Sequence, residues 1–264
     1  MKGSIMSFKY NFDIACLESE PLQRLFHEVT SYVQKIRIEE VVNGRRRRSW
    51  KEHPATTIVF AVGKPTIQFI DSLKREQKIE VIAHELAHLL LVYRYGLGVI
   101  GLRIPRIGNS EEVFKFYMNL NKEWNFMLGQ IINTAHHLIL TDYLKEEYGI
   151  ESSLHLQLLH HHFCRLAREE EREREPLFAK GVIAFEYERL IGKVDKVTTT
   201  FSQTDSFWKA YHSAQRRFGR YGFRSIPAPL SYEETLLSFL ESLEYKREDF
   251  IFFPQAKQDF SSIM

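Results

Sequence analysis

Residues 84–88 read HELAH, two histidines and a glutamate in five positions. On an α-helix, residues four apart stand above one another, so His84 and His88 can offer two imidazoles to a single cation from one face. Glu85 follows the first histidine by one position, which sets its carboxylate beside such a cation rather than on it, able to take a proton from the cation's water. Zinc lowers the pKa of a bound water to about 7, and a carboxylate at that distance completes a usable hydroxide nucleophile. The neighbours Ile82, Ala83, Leu89 and Leu90 are apolar. Histidines entering so dry an interior without a ligand would be costly to bury.

Two ligands do not complete a catalytic zinc site, which normally has three from the protein and one open position. The third is sought in the apolar stretch containing Phe126, Met127, Leu128, Ile131, Ile132, Leu138, Ile139 and Leu140, whose polar residues need explaining in a buried helix. Asn133, His137 and Thr141 recur every four residues, and Glu123 and Gln130 precede His137 by fourteen and seven. That polar line selects His137 as the third ligand, with Asn133 one turn away to orient a ligand by a hydrogen bond. His136, Asp142 and Glu123 are the competing ligands, and a hydrogen-bonded polar network in the core is the bland alternative. His155, His160, His161 and His162 read as surface or helix-packing residues, because adjacent histidines point to different faces of a helix. Tyr211, His212, Arg216 and Tyr221 form an aromatic and basic region from which one group could stabilise an oxyanion.

The elements that must position these residues follow from periodicity. Leu22, Leu25, Phe26, Val29, Tyr32 and Val33 predict an amphipathic helix within residues 17–40. TTIVFAV and TIQFI, separated by Gly63, Lys64 and Pro65, predict a hairpin or two neighbouring strands, after which strand content ends. Helical spacing then runs from a cap at Asp71 or Ser72 to a stop at Gly96, carrying HELAH in mid-helix. A second helical stretch starts after Asn109 or Ser110 and persists to Gly149, with a break expected near Asn119–Asn121. Further helices are expected around 182–192, 205–219 and 231–245. The fold class is α+β and predominantly helical: a core over residues 1–150, with a short β-sheet beside the motif helix, and a helical C-terminal portion over 151–264.

Composition bounds the partners. With 36 basic and 34 acidic residues, the whole-molecule field steers neither nucleic acid nor an anionic membrane toward the chain. Arg45–Arg48 could touch phosphates, but such a run more often solvates a turn. The first twenty residues lack the continuous apolar run of a signal peptide, and no stretch of about 18 apolar residues predicts a membrane span. Only two cysteines occur, Cys16 and Cys164, without metal-ribbon or redox spacing, which makes a reducing cytoplasm the expected compartment.

HELAH resembles the motif of the HExxH zincin peptidases, and HELAHLLL is similar to the motif helix of the bacterial ImmA/IrrE-type peptidases. NTAHHLILTDYLKEEYG is similar to a pattern in poorly characterised bacterial HExxH proteins. Metzincin-like, thermolysin-like and aspzincin-like continuations are missing, with Leu91 and Arg94 standing where a metzincin has Gly and His. The resemblance implies a zincin-like core with one zinc per chain, and peptide substrates bound along an edge strand, a role that would fall to residues 66–70. The implied activity is hydrolysis of a peptide bond in a peptide or protein substrate. Two alternatives stand beside it: a zinc hydrolase of a non-peptide amide, and a non-enzymatic protein of a regulatory or defence assembly that keeps a structural zinc.

Overall fold

A computed structural model describes residues 8–33, 35–42, 55–58, 65–103, 111–166, 177–192 and 205–253, with backbone alone for 8–10, 42, 55–58, 111–126, 165–166, 177–178 and 205. Arg45–Arg48 lie outside the described residues. The fold is predominantly helical with small sheets, of the α+β class. The chain divides into two compact units, Met1–Leu90 with Leu140–Leu159, and Leu91–Ile139 with His160–Met264.

In the first unit, strands β1 (Phe8–Asn11), β2 (Arg37–Val42), β3 (Ala55–Ile58) and β4 (Thr66–Ile70) form one sheet in the order β1-β2-β4-β3. β1 is antiparallel to β2, β2 is parallel to β4 with Arg37 opposite Thr66, and β3 returns antiparallel to β4 with Ile58 opposite Thr66. All five residues of β4 are buried, as expected of a strand paired on both sides and covered on both faces. This corrects the edge role implied for residues 66–70: among the described strands, β4 is interior and the edges are β1 and β3. Helix α1 (Glu20–Thr30) is capped by Ser19, whose hydroxyl accepts from Leu22 N–H at 3.4 Å, and it buries Leu22, Leu25 and Val29. The helix expected within 17–40 therefore stops at Thr30. Residues 37–42 pair as β2 instead, because strand partners some thirty residues away satisfy their backbone.

Helix α2 (Arg75–Tyr93) carries HELAH. It begins three residues after the expected cap, where the Gln77 side chain accepts from Lys74 N–H at 3.0 Å. Its exit is a left-handed turn at Gly96 (φ 67°), where Leu97 N–H reaches back to the Leu91 carbonyl at 3.0 Å. Helix α3 (Glu111–Tyr148) runs unbroken for 38 residues, so the break expected near Asn119–Asn121 is absent. It holds no proline, and its ladder continues through those asparagines. Its end is held from α1: the Arg24 guanidinium donates to the Glu147 carbonyl at 2.8 Å, and Tyr143 and Tyr148 both donate their hydroxyls to Glu28. Helix α4 (Ser153–Leu166) starts under Glu80 of α2, which accepts from His155 N–H at 2.9 Å. Burial raises the Glu80 carboxyl above its usual range, against the backbone N–H groups of His155 and Leu154.

The second unit holds α5 (Leu177–Ile191), α6 (Asp205–Phe218) and α7 (Pro229–Ser242), close to the expected helical spans. It also holds a two-stranded ribbon, β5 (Val99–Leu102) antiparallel to β6 (Phe250–Phe253). The ribbon corrects the expectation that strands end at residue 70, since its partners are about 150 residues apart and neither run is long enough to signal itself. Among the described residues, no helix is long and apolar enough to cross a membrane.

Helices α5 and α6 meet at Gly181. A Cβ there would lie 2.5 Å from the Phe207 carbonyl oxygen and 2.9 Å from the Ala210 Cβ. Backbone cannot yield as a side-chain end can, so Gly181→Ala is expected to destabilise the protein by about 1–3 kcal/mol, read from the midpoint of a urea transition. An unchanged midpoint would show that the two helices do not meet closely at this position.

Candidate metal centre

From residue 81 to 92 helix α2 is buried almost all round: Val81, Ile82, Ala83, Leu86, Ala87, Leu89, Leu90, Leu91 and Val92 are all inaccessible. His84, Glu85 and His88 are the three residues of that span left partly exposed. At 100° per residue these positions form one contiguous patch about 100° wide, so the accessible face of the helix and the motif coincide. Within it the Nε2 atoms of His84 and His88 stand 3.2 Å apart, with the rings at 71° and their centroids 4.8 Å apart. His155, in the first turn of α4, lays its ring against that of His84 at 4.7 Å and 33°. Its backbone is pinned by Glu80, which stands one turn before His84 on α2.

On α3, His137 is buried and its Nδ1 meets Glu186 Oε1 at 2.6 Å. Glu186 comes from α5 and is itself only 1% exposed. Its other oxygen accepts from Thr134 Oγ1 at 2.5 Å and from Gln130 Nε2 at 3.2 Å. Gln130, Thr134 and His137 stand four and then three residues apart, on one face of α3. Gln130 was expected on the polar line; Thr134 was not. Asn133, expected to orient a ligand, is exposed, and the group that meets the His137 ring is Glu186.

The competing ligands are placed apart. His136 is 2% exposed and its ring lies 5.8 Å from that of Tyr232. Burial, with His137 alongside, pushes its pKa down to about 3 against a hydrogen bond with the Leu97 backbone, so this imidazole is neutral at physiological pH. Asp142 is exposed. The side chain of Glu123 lies outside the described residues. Among the described residues, the side chains that could serve a metal ion are His84, His88 and His155 in the first unit and His137 and Glu186 in the second.

Sequence reasoning missed Glu186 and His155. The signal for Glu186 is an acid directly following the buried run Val182, Ile183, Ala184 and Phe185. The sequence gives no sign that His155 differs from His160–His162, although it stands more than a helical turn before them. The nearest of those, His160, meets the Tyr187 hydroxyl through Nδ1 at 2.8 Å and is exposed. The aromatic and basic residues considered for an oxyanion contact are engaged locally. Tyr211 donates to Glu188, the His212 ring stacks on Trp208 at 5.5 Å, and Arg216 Nε donates to the His212 carbonyl. Tyr221 packs beside Phe218 and Tyr232.

Comparison of the chain with protein-family models, with curated proteins and with solved structures gave no match.

Proposed function

We propose that the chain is a zinc-dependent hydrolase built on a zincin-like core, with peptide bonds as its substrate class. The observation that carries this reading is the coincidence of HELAH with the accessible patch of an otherwise buried helix. A histidine pair kept for packing would gain nothing from selective exposure, whereas a centre that meets substrate requires it. The donor set also fits zinc. Two Zn–N bonds of about 2.05 Å at the tetrahedral angle separate their nitrogens by about 3.3 Å, and the two Nε2 atoms stand 3.2 Å apart. His84, His88 and His137 are the ligands assigned to the ion. When bound, zinc supplies a Lewis acid that acidifies water and polarises a carbonyl. Glu85, half-buried beside His84, takes the proton of the attacking water and delivers it to the leaving amine. The zincin resemblance puts a peptide along an edge strand of the sheet, and among the described strands the edges are β1 and β3 rather than β4.

Adjacent histidines on α3 provide the test of the third ligand. His137→Ala is expected to weaken zinc binding by about two orders of magnitude or more, while His136→Ala leaves it within a few-fold, measured by competitive chelator titration with circular dichroism as the folding control. A large loss in His136→Ala alone would move the site off His137. The buried pairing of His137 with Glu186 favours a different reading, a closed structural zinc. Four protein ligands and no exchangeable position in the X-ray absorption spectrum of the zinc form would establish that alternative.

A further inference from the structure

We infer that Glu186 is a positioning residue for His137, fixing the imidazole proton on Nδ1 so that Nε2 is the nitrogen available to a metal. The inference rests on the zinc reading above and adds the residue that selects which ring nitrogen acts. A neutral imidazole carries one proton, and the nitrogen without it is the ligand. The Nδ1 to Glu186 Oε1 separation of 2.6 Å is that of a charge-assisted hydrogen bond, and since an ionised carboxylate only accepts, Nδ1 is the donor. That carboxylate is not free to turn. Thr134 and Gln130 both donate to Oε2, so Oε1 is the oxygen left facing the ring. Both donors come from the same face of α3 as His137, and the acid comes from α5. One helix thus supplies the ligand and two clamps, and another supplies the acceptor they hold.

Energetics argue against an incidental pair. Taking a carboxylate out of water costs several kcal/mol even after relaxation, and a buried ion pair rarely outperforms well-packed apolar residues in stability. A buried acid with two hydrogen-bond donors on its far oxygen is therefore an expensive way to hold two helices together. It is an effective way to set a ligand, because an acceptor on the distal nitrogen fixes the ring orientation and raises the basicity of the other nitrogen, typically worth about 10- to 100-fold in metal affinity.

The test uses the full chain and zinc alone. Glu186→Gln is expected to bind zinc about 10- to 100-fold more weakly than wild type in chelator competition, with the stoichiometry still one. In zinc-loaded wild type, long-range 1H–15N correlation should find the His137 proton on Nδ1 and the Nε2 resonance moved by zinc, whereas a purely structural pair would leave Nε2 unmoved. An affinity within two-fold of wild type overturns the inference, as does a proton on Nε2. So does a second zinc equivalent in wild type that vanishes in Glu186→Gln, which would make the acid a ligand. If circular dichroism shows Glu186→Gln unfolded, Thr134→Val serves instead: it keeps the carboxylate and removes one clamp, a several-fold loss is expected, and an unchanged affinity overturns the inference. Failure of wild type to take up zinc at all would sink the zinc reading itself, an outcome distinct from zinc-binding wild type with an indifferent Glu186.

Discussion

Replacing His84 or His88 by alanine is expected to strip the protein of its metal. Wild type purified without chelator should carry close to one zinc per chain by elemental analysis, and each variant should carry almost none. A histidine–thiolate zinc site in a small peptide is worth about 10–16 kcal/mol in all. Shared over three or four ligands, that is about 2.5–5 kcal/mol each, or about two to four orders of magnitude in affinity. Both rings lie in the accessible patch of α2, so the substitutions open no cavity in a packed interior and the helix should survive them. A chelator should lower the melting temperature of wild type and leave that of His84→Ala unmoved, since only a species that binds metal can be stabilised by it. Wild type that contains no transition metal and takes none up on titration would end the metal reading.

The second large effect is on turnover. Glu85→Gln keeps the size and polarity of the side chain and removes only the ability to hold a proton, so the zinc content and the circular dichroism spectrum should match wild type. Hydrolysis of a quenched-fluorescent peptide library should fall by about 10²- to 10⁴-fold, the usual contribution of a positioned general base. The pairing of an unchanged metal content with a lost rate separates this residue from its neighbours His84 and His88, whose replacement removes both. A Glu85→Gln protein that cleaves the library at the wild-type rate would show that another group takes the proton.

The parts of this arrangement legible in the sequence are the ones set by local geometry. Helical spacing alone places His84, Glu85 and His88 on one face, and the apolar run around them marks the helix as buried. His137 stood out because a polar residue in an apolar helix needs a reason, but the choice of its companion did not follow. Asn133 and Thr134 lie four and three positions before it, both one turn away, and only the packing of α5 decides that Thr134 faces inward. Glu186 and His155 arrive from elements 49 and 71 positions distant from His137 and His84, and no local pattern encodes those meetings. Strand β2 was absorbed into a helix for the same reason: its hydrogen-bond partners in β1 and β4 are supplied from afar. In α3 the error ran the other way. Two asparagines weaken a helix only slightly, and they did not interrupt it.

The first compact unit is discontinuous, Met1–Leu90 joined by Leu140–Leu159, and this sets a timetable for its birth on the ribosome. All four strands of its sheet are made within the first 70 residues, so the sheet can pair while most of the chain is still unwritten. Leu144, Tyr148 and Ile150, which are buried in the finished protein, and the tyrosines that hold Glu28 come from the returning segment. At 5–20 residues per second, the intervening stretch Leu91–Ile139 keeps them away for about 2 to 10 s. Through that interval the nascent sheet and the apolar sides of α2 wait half-covered, the condition in which a growing chain most needs a chaperone or a slow neighbour.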